Sequence, residues 1–386
     1  MLTTIYFIVI ITLSIFYLII QTIYTEGWKA LKVWNVSNDF QPITTITILI
    51  PARNEAKNIE DCINSILNQT YPKDLFEIIV LDDFSEDETP ELVKNYIEND
   101  FTNIRLLQLA NHISPNETQS FKKKAIEIGI HQASGELIIT TDADCIVQPN
   151  WLQLIASLYQ KKQPKFIAAP VNFHKEQNDF ERFQSLDFIG MMGITGSGIA
   201  TKIMRMCNGA NLAYPKSIFT EVNGFHGIDN HASGDDMMLM QKIAKVYPND
   251  IVYLKNQTAT TFTTAKPTLK SFINQRVRWS TKSKGYEEKQ VTAILIGVWL
   301  FCVSIPLTFL SVLFFGRIAL ILGIGQLVIK MIADYRLLKT TSNFFNRSDL
   351  MQTFVKSSIY HLFYIIVVGF LGGIIQKYEW KGREVQ

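Results

Sequence analysis

Residues 45–55, with the sequence TITILIPARNE, decide the fold expected of this chain. The first six of them are β-branched or aliphatic, which is typical of a strand, and Pro51 marks its end. A helical spacing of apolar residues follows over residues 58–68, and a near-continuous apolar strand follows over residues 76–81. This order predicts two parallel strands that are joined by a helix.

The same alternation continues along the chain. Helical patterns cover about residues 89–99 and 121–132, and strand-like segments cover residues 103–109 and 136–141. We therefore predict an α/β domain over residues 40–265, built on a doubly wound, mostly parallel sheet. Ligands of such sheets bind at the carboxyl ends of the strands, so polar residues that directly follow a strand are the candidates for a site.

The composition excludes several classes of protein. The chain has 386 residues, of which 47% are hydrophobic and 19% are charged. This apolar content excludes intrinsic disorder, and four scattered cysteines without a CxxC spacing exclude a disulfide scaffold. The formal net charge of +2 argues against a protein that binds nucleic acid through bulk charge. A mean hydropathy of +0.11 indicates that part of the chain lies in lipid.

The apolar excess lies at the two ends of the chain. Residues 2–24 carry no charged side chain and are long enough to cross a hydrocarbon core of about 30 Å, so we predict a transmembrane helix over residues 1–25. A signal peptide is the competing interpretation. However, no basic segment precedes the apolar run and no small-residue cleavage site follows it.

Near the other end, the sequence predicts about three transmembrane helices within residues 291–376, followed by a tail over residues 377–386. The apolar stretches are residues 291–315, 318–333 and 354–375. Lys330 and Asp334 lie within or beside them at an i,i+4 spacing. This spacing favours a satisfied pair or a snorkelling lysine over an ion pathway.

Residues 266–290 predict a basic interfacial helix. Lys and Arg clearly outnumber Glu in this stretch. The positive-inside rule therefore places it, and the α/β domain, in the cytoplasm. We expect the membrane to be the inner membrane of a bacterium. Four spans would leave the basic tail on the opposite side, which fits the rule poorly. The number of spans and the side of the C-terminus thus stay open.

Pairs of aspartates follow the predicted strands or open a predicted helix. They are Asp82 with Asp83, Asp142 with Asp144, and Asp235 with Asp236. Any one such pair can be a turn or a helix N-cap. An Asp-x-Asp at a strand end, however, places two hard oxygen ligands on one side, as a divalent cation on a diphosphate requires. The sequence has no Gly-rich phosphate loop, so a metal and basic side chains must neutralise the phosphates.

The order of these motifs resembles family 2 glycosyltransferases, which have the GT-A fold. The resemblance covers about residues 44–285 and rests on IPARNE at 50–55, DDFS at 82–85, Lys124-Ala125, DAD at 142–144, GANLAY at 209–214, VNGF at 222–225, GDD at 234–236 and QRVRW at 275–279. The flanking spans are similar to those of the membrane-embedded members, which include polysaccharide synthases and ceramide glucosyltransferases.

The resemblance implies a donor site. Asp83 would hydrogen-bond the nucleoside, and Asp82 and Glu55 would line the same pocket. Asp142 and Asp144 would hold Mg²⁺ or Mn²⁺ on the diphosphate, with Lys124 close to it.

It also implies an acceptor side. Asp236 would be the general base that deprotonates the acceptor hydroxyl, so that the anomeric carbon is inverted. Asp235 stands where the family more often has glutamate, which leaves Asp235 as the alternative base. The acceptor-side loop would include Gly209 and Asn211.

The QxxRW motif has a physical case of its own. Gln275, Arg278 and Trp279 share one face of a helix. The indole can cover a sugar ring and the guanidinium can grip pyrophosphate, which would add these residues to the donor site. The alternative is an interfacial helix with a snorkelling arginine and a tryptophan at headgroup level.

These features predict an inverting, metal-dependent hexosyltransferase. It would move sugar from a nucleotide-diphosphate sugar, expected to be a UDP-sugar, to a hydroxyl of a growing β-linked glycan or a lipid at the cytoplasmic face. Single-sugar transfer to a ceramide- or polyprenyl-type lipid is one alternative, and a catalytically inactive scaffold subunit is another. We expect membrane lipid as a partner, no nucleic acid, and leave a partner subunit for export open.

Overall fold

The computed structural model divides the chain into two compact units. It describes residues 2–99, 101, 103–114, 118, 120–229, 234–281, 286, 288–374, 378–380 and 383–385. The helical unit comprises Met1–Leu31, Lys175–Arg205 and Ala265–Gln376, and the sheet unit comprises Lys32–His174, Met206–Thr264 and Lys377–Gln386.

A seven-stranded sheet forms the centre of the sheet unit, in the order β3-β2-β1-β4-β7-β5-β8. Only β7 runs antiparallel to its neighbours among these described strands, so the predicted mostly parallel sheet is confirmed. The strands are β1 Ile46–Ala52, β2 Phe76–Asp82, β3 Ile104–Gln108, β4 Leu137–Thr140, β5 Phe166–Ala168, β6 Val171–His174, β7 Leu212–Pro215, β8 Ile251–Tyr253 and β9 Thr261–Thr264. Strands β6 and β9 form a separate parallel pair.

Helices cover the sheet of this unit. They are α2 Ile59–Leu67, α3 Thr89–Glu98, α4 Phe121–Gln132, α5 Trp151–Lys162, α7 Lys216–Glu221 and α8 Met237–Val246. The apolar face predicted for α2 is buried, since Ile59, Ile63 and Ile66 are inaccessible to solvent and pack with Ile48 and Ile78 of the sheet. A short hairpin at the end of the chain, β10 Tyr378–Trp380 and β11 Arg383–Val385, also belongs to the sheet unit.

The helical unit contains α1 Leu2–Ala30, α6 Asp179–Thr201, α9 Leu269–Thr281, α10 Lys289–Leu310, α11 Val312–Phe344 and α12 Phe354–Ile374. Within the described residues, four helices are long and apolar enough to cross a membrane. They are α1, α10, α11 and the segment that ends with α12, and they lie where the sequence predicts one leading and three trailing spans. The C-terminal hairpin belongs to the sheet unit, whereas three crossings would put it on the opposite side of the membrane. The three trailing helices therefore cannot all cross the membrane. Residues 282–285 of the predicted basic stretch lie outside the described residues.

Helix α6 departs from the predicted domain boundaries. Residues 40–265 were expected to form one α/β domain, but α6 belongs to the helical unit. Its glycines allow close helix packing: a Cβ at Gly196 would lie 2.7 Å from the Trp28 ring, and one at Gly190 would lie 2.8 Å from Leu338. Small residues at such spacing bring helix backbones together. Hydropathy gives no signal for this helix because Gln184 and other polar residues interrupt it.

The helical unit also buries charged pairs. Lys330 is inaccessible to solvent and pairs with Asp334, so the predicted satisfied pair is confirmed and snorkelling is wrong. Arg276 of α9 and Asp187 of α6 are each 4% exposed and form an ion pair of 2.8 Å. Buried charges of this kind are tolerated only when they are paired and hydrogen-bonded.

Candidate active site

Arg53 and Asn54 connect the two loops that follow β1 and β2. Arg53 donates through Nη1 to the carbonyl oxygens of Asp83, at 2.9 Å, and Phe84, at 2.6 Å. The backbone N–H of Asn54, which has a φ of +53°, donates to Ser85 Oγ at 3.0 Å. Asparagine tolerates this left-handed conformation better than most residues. Arg53 and Asn54 therefore fix the loop that begins with Asp83, directly after Asp82 at the end of β2.

Asp82 and Asp83 are almost completely buried at the end of β2. They are 3% and 2% exposed. Burial raises the pKa of the Asp82 carboxyl above its ordinary value, although hydrogen bonds from Ser85 oppose the shift. Burial likewise raises the pKa of Asp83, and Arg383, whose Nη1 lies 2.7 Å from Asp83 Oδ1, opposes it. The other oxygen, Oδ2, is buried and has no hydrogen-bond partner among the described residues.

Glu55 lies in the β1–α2 loop and faces the acidic side of the sheet. It is 9% exposed, and its Oε2 accepts from Asn58 Nδ2 at 2.7 Å. Burial raises the pKa of the nearby Cys62 thiol, and the charges of Asp144, Asp142 and Glu55 add to the shift. Glu55 and the Asp-x-Asp carboxylates thus act on the same buried thiol. The place of Glu55 in one pocket with Asp82 and Asp83 stays a prediction.

Asp142, Asp144 and Cys145 form a compact group after β4. Their ligand atoms all lie within 4.8 Å of one another. Cys145 is 1% exposed, and burial together with the neighbouring carboxylates raises the pKa of its thiol far above the ordinary value. The thiol therefore stays protonated and belongs to the packing. The two carboxylates remain as hard oxygen ligands, which fits Mg²⁺ or Mn²⁺.

Lys122 lies directly against this acidic group. Its Nζ is 2.8 Å from Asp142 Oδ1 and 3.4 Å from Asp235 Oδ2. Burial disfavours the charged ammonium, but the carboxylates outweigh burial and raise the pKa of Lys122. A Cβ on Gly209 would lie 3.4 Å from Asp235 Oδ2 and 3.5 Å from Lys122 Nζ. The fold therefore brings Asp142, Asp235 and Gly209 together around one lysine.

Family resemblance implies a different lysine of the same run, Lys124, beside the diphosphate. Lys124 pairs with Glu127 of its own helix at 2.8 Å, and both side chains are partly exposed. Lys123 is 1% exposed and donates to the carbonyl oxygen of Ile228 at 2.6 Å. Successive helical residues point about 100° apart, so only one of three adjacent lysines can face the sheet edge. The structure places Lys122 there, and Lys124 lies away from Asp142.

Asp236 is the N-cap of α8. Its Oδ1 accepts from Met237 N at 2.7 Å and its Oδ2 accepts from Gly209 N at 3.1 Å, and the residue is 7% exposed. The backbone donors and the positive end of the helix dipole hold the carboxylate in one orientation. A carboxylate that is held in this way can act as a proton acceptor.

Asn211 has a supporting position and does not face an open site. It is inaccessible to solvent, donates to the carbonyl oxygens of Pro170 and Ala259 at 2.7 and 2.8 Å, and accepts from Trp151 Nε1 at 2.9 Å. These bonds tie the loop before β7 to its neighbours. We correct the predicted acceptor-side role of Asn211 accordingly, because its polar atoms are all engaged inside the protein.

The QxxRW motif lies on α9 in the helical unit. Arg276, which the motif leaves unspecified, stacks on Trp279 with its guanidinium carbon 4.4 Å from the ring centroid. Trp279 also packs against Phe188 of α6. The Gln275 Oε1 atom is buried and lacks a hydrogen-bond partner among the described residues. The part of Gln275, Arg278 and Trp279 in donor binding stays a prediction.

Two models of glycosyltransferase families match this chain. The family model described as glycosyl transferase family group 2 matches residues 137–371, and the model of glycosyl transferase family 2 matches residues 47–223. The chain belongs to the family 2 glycosyltransferases. The first of these matches extends beyond the sheet unit through α9, α10, α11 and most of α12.

Relatives and solved structures agree with this assignment. The chain is 26% identical over 336 residues to the poly-β-1,6-N-acetyl-D-glucosamine synthase of Staphylococcus epidermidis. This match covers 83% of the chain and 74% of the synthase. It is 32% identical over 108 residues to the glycosyltransferase AglE of Haloferax volcanii, but that match covers 28% of this chain and 33% of AglE.

A mannosyltransferase from Pyrobaculum calidifontis, solved with GDP-Man and Mn²⁺, superimposes with a TM-score of 0.56. The two are 18% identical, and the match covers 94% of this chain and 97% of the other. This likeness concerns the fold, which is of the GT-A type. The predicted family, fold class and enzyme class are therefore confirmed.

Proposed function

We propose that this protein is a membrane-bound inverting glycosyltransferase that moves a sugar from a UDP-sugar to a hydroxyl of a growing β-linked glycan. One observation carries the proposal: two hard carboxylates, a partly buried lysine and two further aspartates meet at the carboxyl end of one sheet. These residues are Asp142, Asp144, Lys122, Asp235 and Asp236. Oppositely charged groups at such an edge suit the transfer of a group from a diphosphate.

Asp142 and Asp144 would hold the divalent cation. When bound, Mg²⁺ or Mn²⁺ neutralises negative charge that develops on the leaving diphosphate. The mannosyltransferase of similar fold was solved with Mn²⁺, which supports this choice of metal. Lys122 already lies at Asp142 and would add a fixed positive charge beside the phosphates.

Asp236 would accept the proton of the acceptor hydroxyl. Its two backbone hydrogen bonds hold the carboxylate in place, which a general base needs more than a raised pKa, because the hydroxyl loses its proton only as the new bond forms. Asp235 is the second candidate, but it forms an ion pair with Lys122, which makes its carboxylate a weaker proton acceptor. In-line attack by that hydroxyl would invert the anomeric carbon.

The nucleoside would bind at the end of β2. Asp83 offers a buried carboxylate oxygen without a partner among the described residues, which is suited to an imide N–H of uracil. Asp82 and Glu55 would border the same pocket. This assignment supports UDP-sugars as donors, although the similar mannosyltransferase was solved with a guanine nucleotide.

The membrane location rests on the surface of the helical unit. Leu313, Phe314 and Ile321 are 84%, 82% and 68% exposed on α11, and such side chains in number are typical of a lipid-facing helix. With the basic stretch on the cytoplasmic side, the catalytic site would face the cytoplasm. The staphylococcal relative, a polymer synthase, supports N-acetylglucosamine as the sugar to test first.

The test uses membranes that contain the full-length protein, radiolabelled UDP-N-acetylglucosamine and Mn²⁺. We expect label in a high-molecular-weight, water-soluble fraction, and its loss when EDTA removes the metal. If the label is confined to the lipid extract, the reaction is transfer of a single sugar to a lipid and not polymer synthesis. The exposed Asp74→Asn is the control variant. If Asp144→Ala leaves the incorporation of label unchanged, the catalytic proposal is contradicted.

A further inference from the structure

The C-terminal hairpin places a guanidinium in the nucleoside region. Strands β10 and β11 pair antiparallel, with Trp380 opposite Arg383. Arg383 Nη1 lies 2.7 Å from Asp83 Oδ1, and the two side chains are 18% and 3% exposed. An ion pair this poorly accessible is screened little by solvent, so it fixes the hairpin on the end of β2.

Two aromatic rings complete the surroundings of this guanidinium. Its central carbon lies 4.0 Å from the centroid of Phe121 and 5.5 Å from that of Phe84. The two rings are 6.0 Å apart and nearly perpendicular, so they form a corner in which a flat group can stack. A guanidinium is flat and stacks well on aromatic faces.

Phe84 adopts a conformation that needs an explanation. Its φ is +51°, which is a rare value for a bulky residue without a glycine's freedom. Arg53 holds it there through the carbonyl oxygen. Strained residues of this kind cluster at binding sites, and here the strain turns the ring toward Phe121. We call the space bounded by Asp83, Phe84 and Phe121 the aromatic slot.

The aromatic slot offers the contacts that a nucleobase requires. A planar base in place of the guanidinium would keep the stacking on Phe121, and its N–H would keep the hydrogen bond to Asp83. Base stacking on aromatic side chains is favourable for every base, because each has a π-face. Both groups would stack at the same position on Phe121, so they cannot occupy the slot together.

We propose that the C-terminal hairpin is an autoinhibitory segment, in which Arg383 occupies the aromatic slot and must leave before the nucleotide-sugar binds. This inference rests on the proposed nucleoside site at Asp83. The hairpin is part of the same chain, so its effective concentration at the slot is high and does not depend on dilution. Donor affinity is then lowered by the fraction of molecules in which the slot is free.

The test measures the dissociation constant of UDP, with Mn²⁺, for the full-length protein by titration calorimetry. Arg383→Ala should bind UDP about tenfold more tightly than the wild type if the hairpin covers the slot nine-tenths of the time. Arg383→Lys keeps the charge but loses the planar fork, and it should fall between the two. The exposed Lys73→Ala is the matched control and should leave the constant unchanged.

The outcomes separate this proposal from the function on which it rests. An unchanged or weaker affinity of Arg383→Ala would overturn autoinhibition, and a weaker one would mean that the hairpin helps to hold the donor. Asp83→Asn tests the nucleoside site itself in the Arg383→Ala background, where it cannot also release the hairpin, and it should weaken UDP binding there. If Asp83→Asn has no effect in that background while UDP still binds, the proposed nucleoside site fails, and autoinhibition through it fails with it.

Discussion

Lys122 illustrates how much a single side chain decides in this site. It is the cation between Asp142 and Asp235, and its pKa is raised by those carboxylates against the effect of burial. Lys122→Ala should lower sugar transfer by a factor of about 10²–10³, the usual cost of one electrostatic contact to a developing charge. Initial rates with saturating metal measure this effect.

Lys124→Ala supplies the matched control, because it removes the same charge from the same helix at an exposed position. We expect its rate to stay close to that of the wild type. A larger loss for Lys124→Ala than for Lys122→Ala would contradict the positions of the two lysines.

The buried carboxylate of Asp82 is expected to lower the stability of the folded protein, although it belongs to the proposed donor site. Its pKa is raised mainly by burial, so its ionisation destabilises the folded state at pH 7. The neutral and isosteric Asp82→Asn should raise the melting temperature by about a few degrees at that pH. The gain should shrink as the pH falls below the raised folded-state pKa, and it should be lost below the ordinary pKa of an aspartate, where the carboxyl is protonated in both the folded and the unfolded protein. Unfolding curves over a pH series would show it, and an equal gain at all pH values would exclude this cause.

At the element scale, the sequence predicts the alternating strands and helices well. The strands β1, β2 and β4 and the helix α2 lie where the apolar spacing indicates, because local hydrophobic pattern determines which face of each element is buried. Helix α6 could not be assigned in this way, since its partners are distant in sequence and its burial depends on glycine packing. The same holds for Arg53 and Lys122, whose roles depend on which loop or helix face they meet.

The glycine contacts of α6 can be tested directly. Gly196→Ala would place a Cβ 2.7 Å from the ring of Trp28. Trp28 is 1% exposed and is packed by Phe344 and Phe345, so it cannot move aside easily. We expect a fall in the melting temperature of the detergent-solubilised protein of about several degrees, the usual effect of overpacking.

Gly325→Ala is the control for this substitution. Gly325 also lies in a helix of the helical unit, but a Cβ there would meet no described atom within 4 Å. Alanine favours the helical conformation, so stability should be unchanged or slightly higher. Equal melting temperatures for the two variants would contradict the packing assigned to α6.

At the scale of the whole molecule, the apolar residues that raise the mean hydropathy are concentrated in particular helices. In the part of the chain that the structure describes, four long apolar helices account for this hydropathy, and most of the sheet unit, with its own apolar core, lies between the first and the second of them along the sequence. Sequence alone predicts this division, because hydropathy reports length and polarity. It does not predict which chain segments join each unit, which depends on contacts far apart in sequence: α6 joins the helical unit and the C-terminal hairpin joins the sheet unit.

The most direct test of the central claim is the rate of radiolabelled sugar transfer by the purified protein and by Asp236→Asn. Asparagine keeps the shape but cannot take the acceptor's proton, so the rate should fall by about 10²–10⁴. The dissociation constant of UDP, measured on the same samples, should stay unchanged. A transfer rate of Asp236→Asn equal to that of the wild type would contradict a catalytic site at this carboxylate.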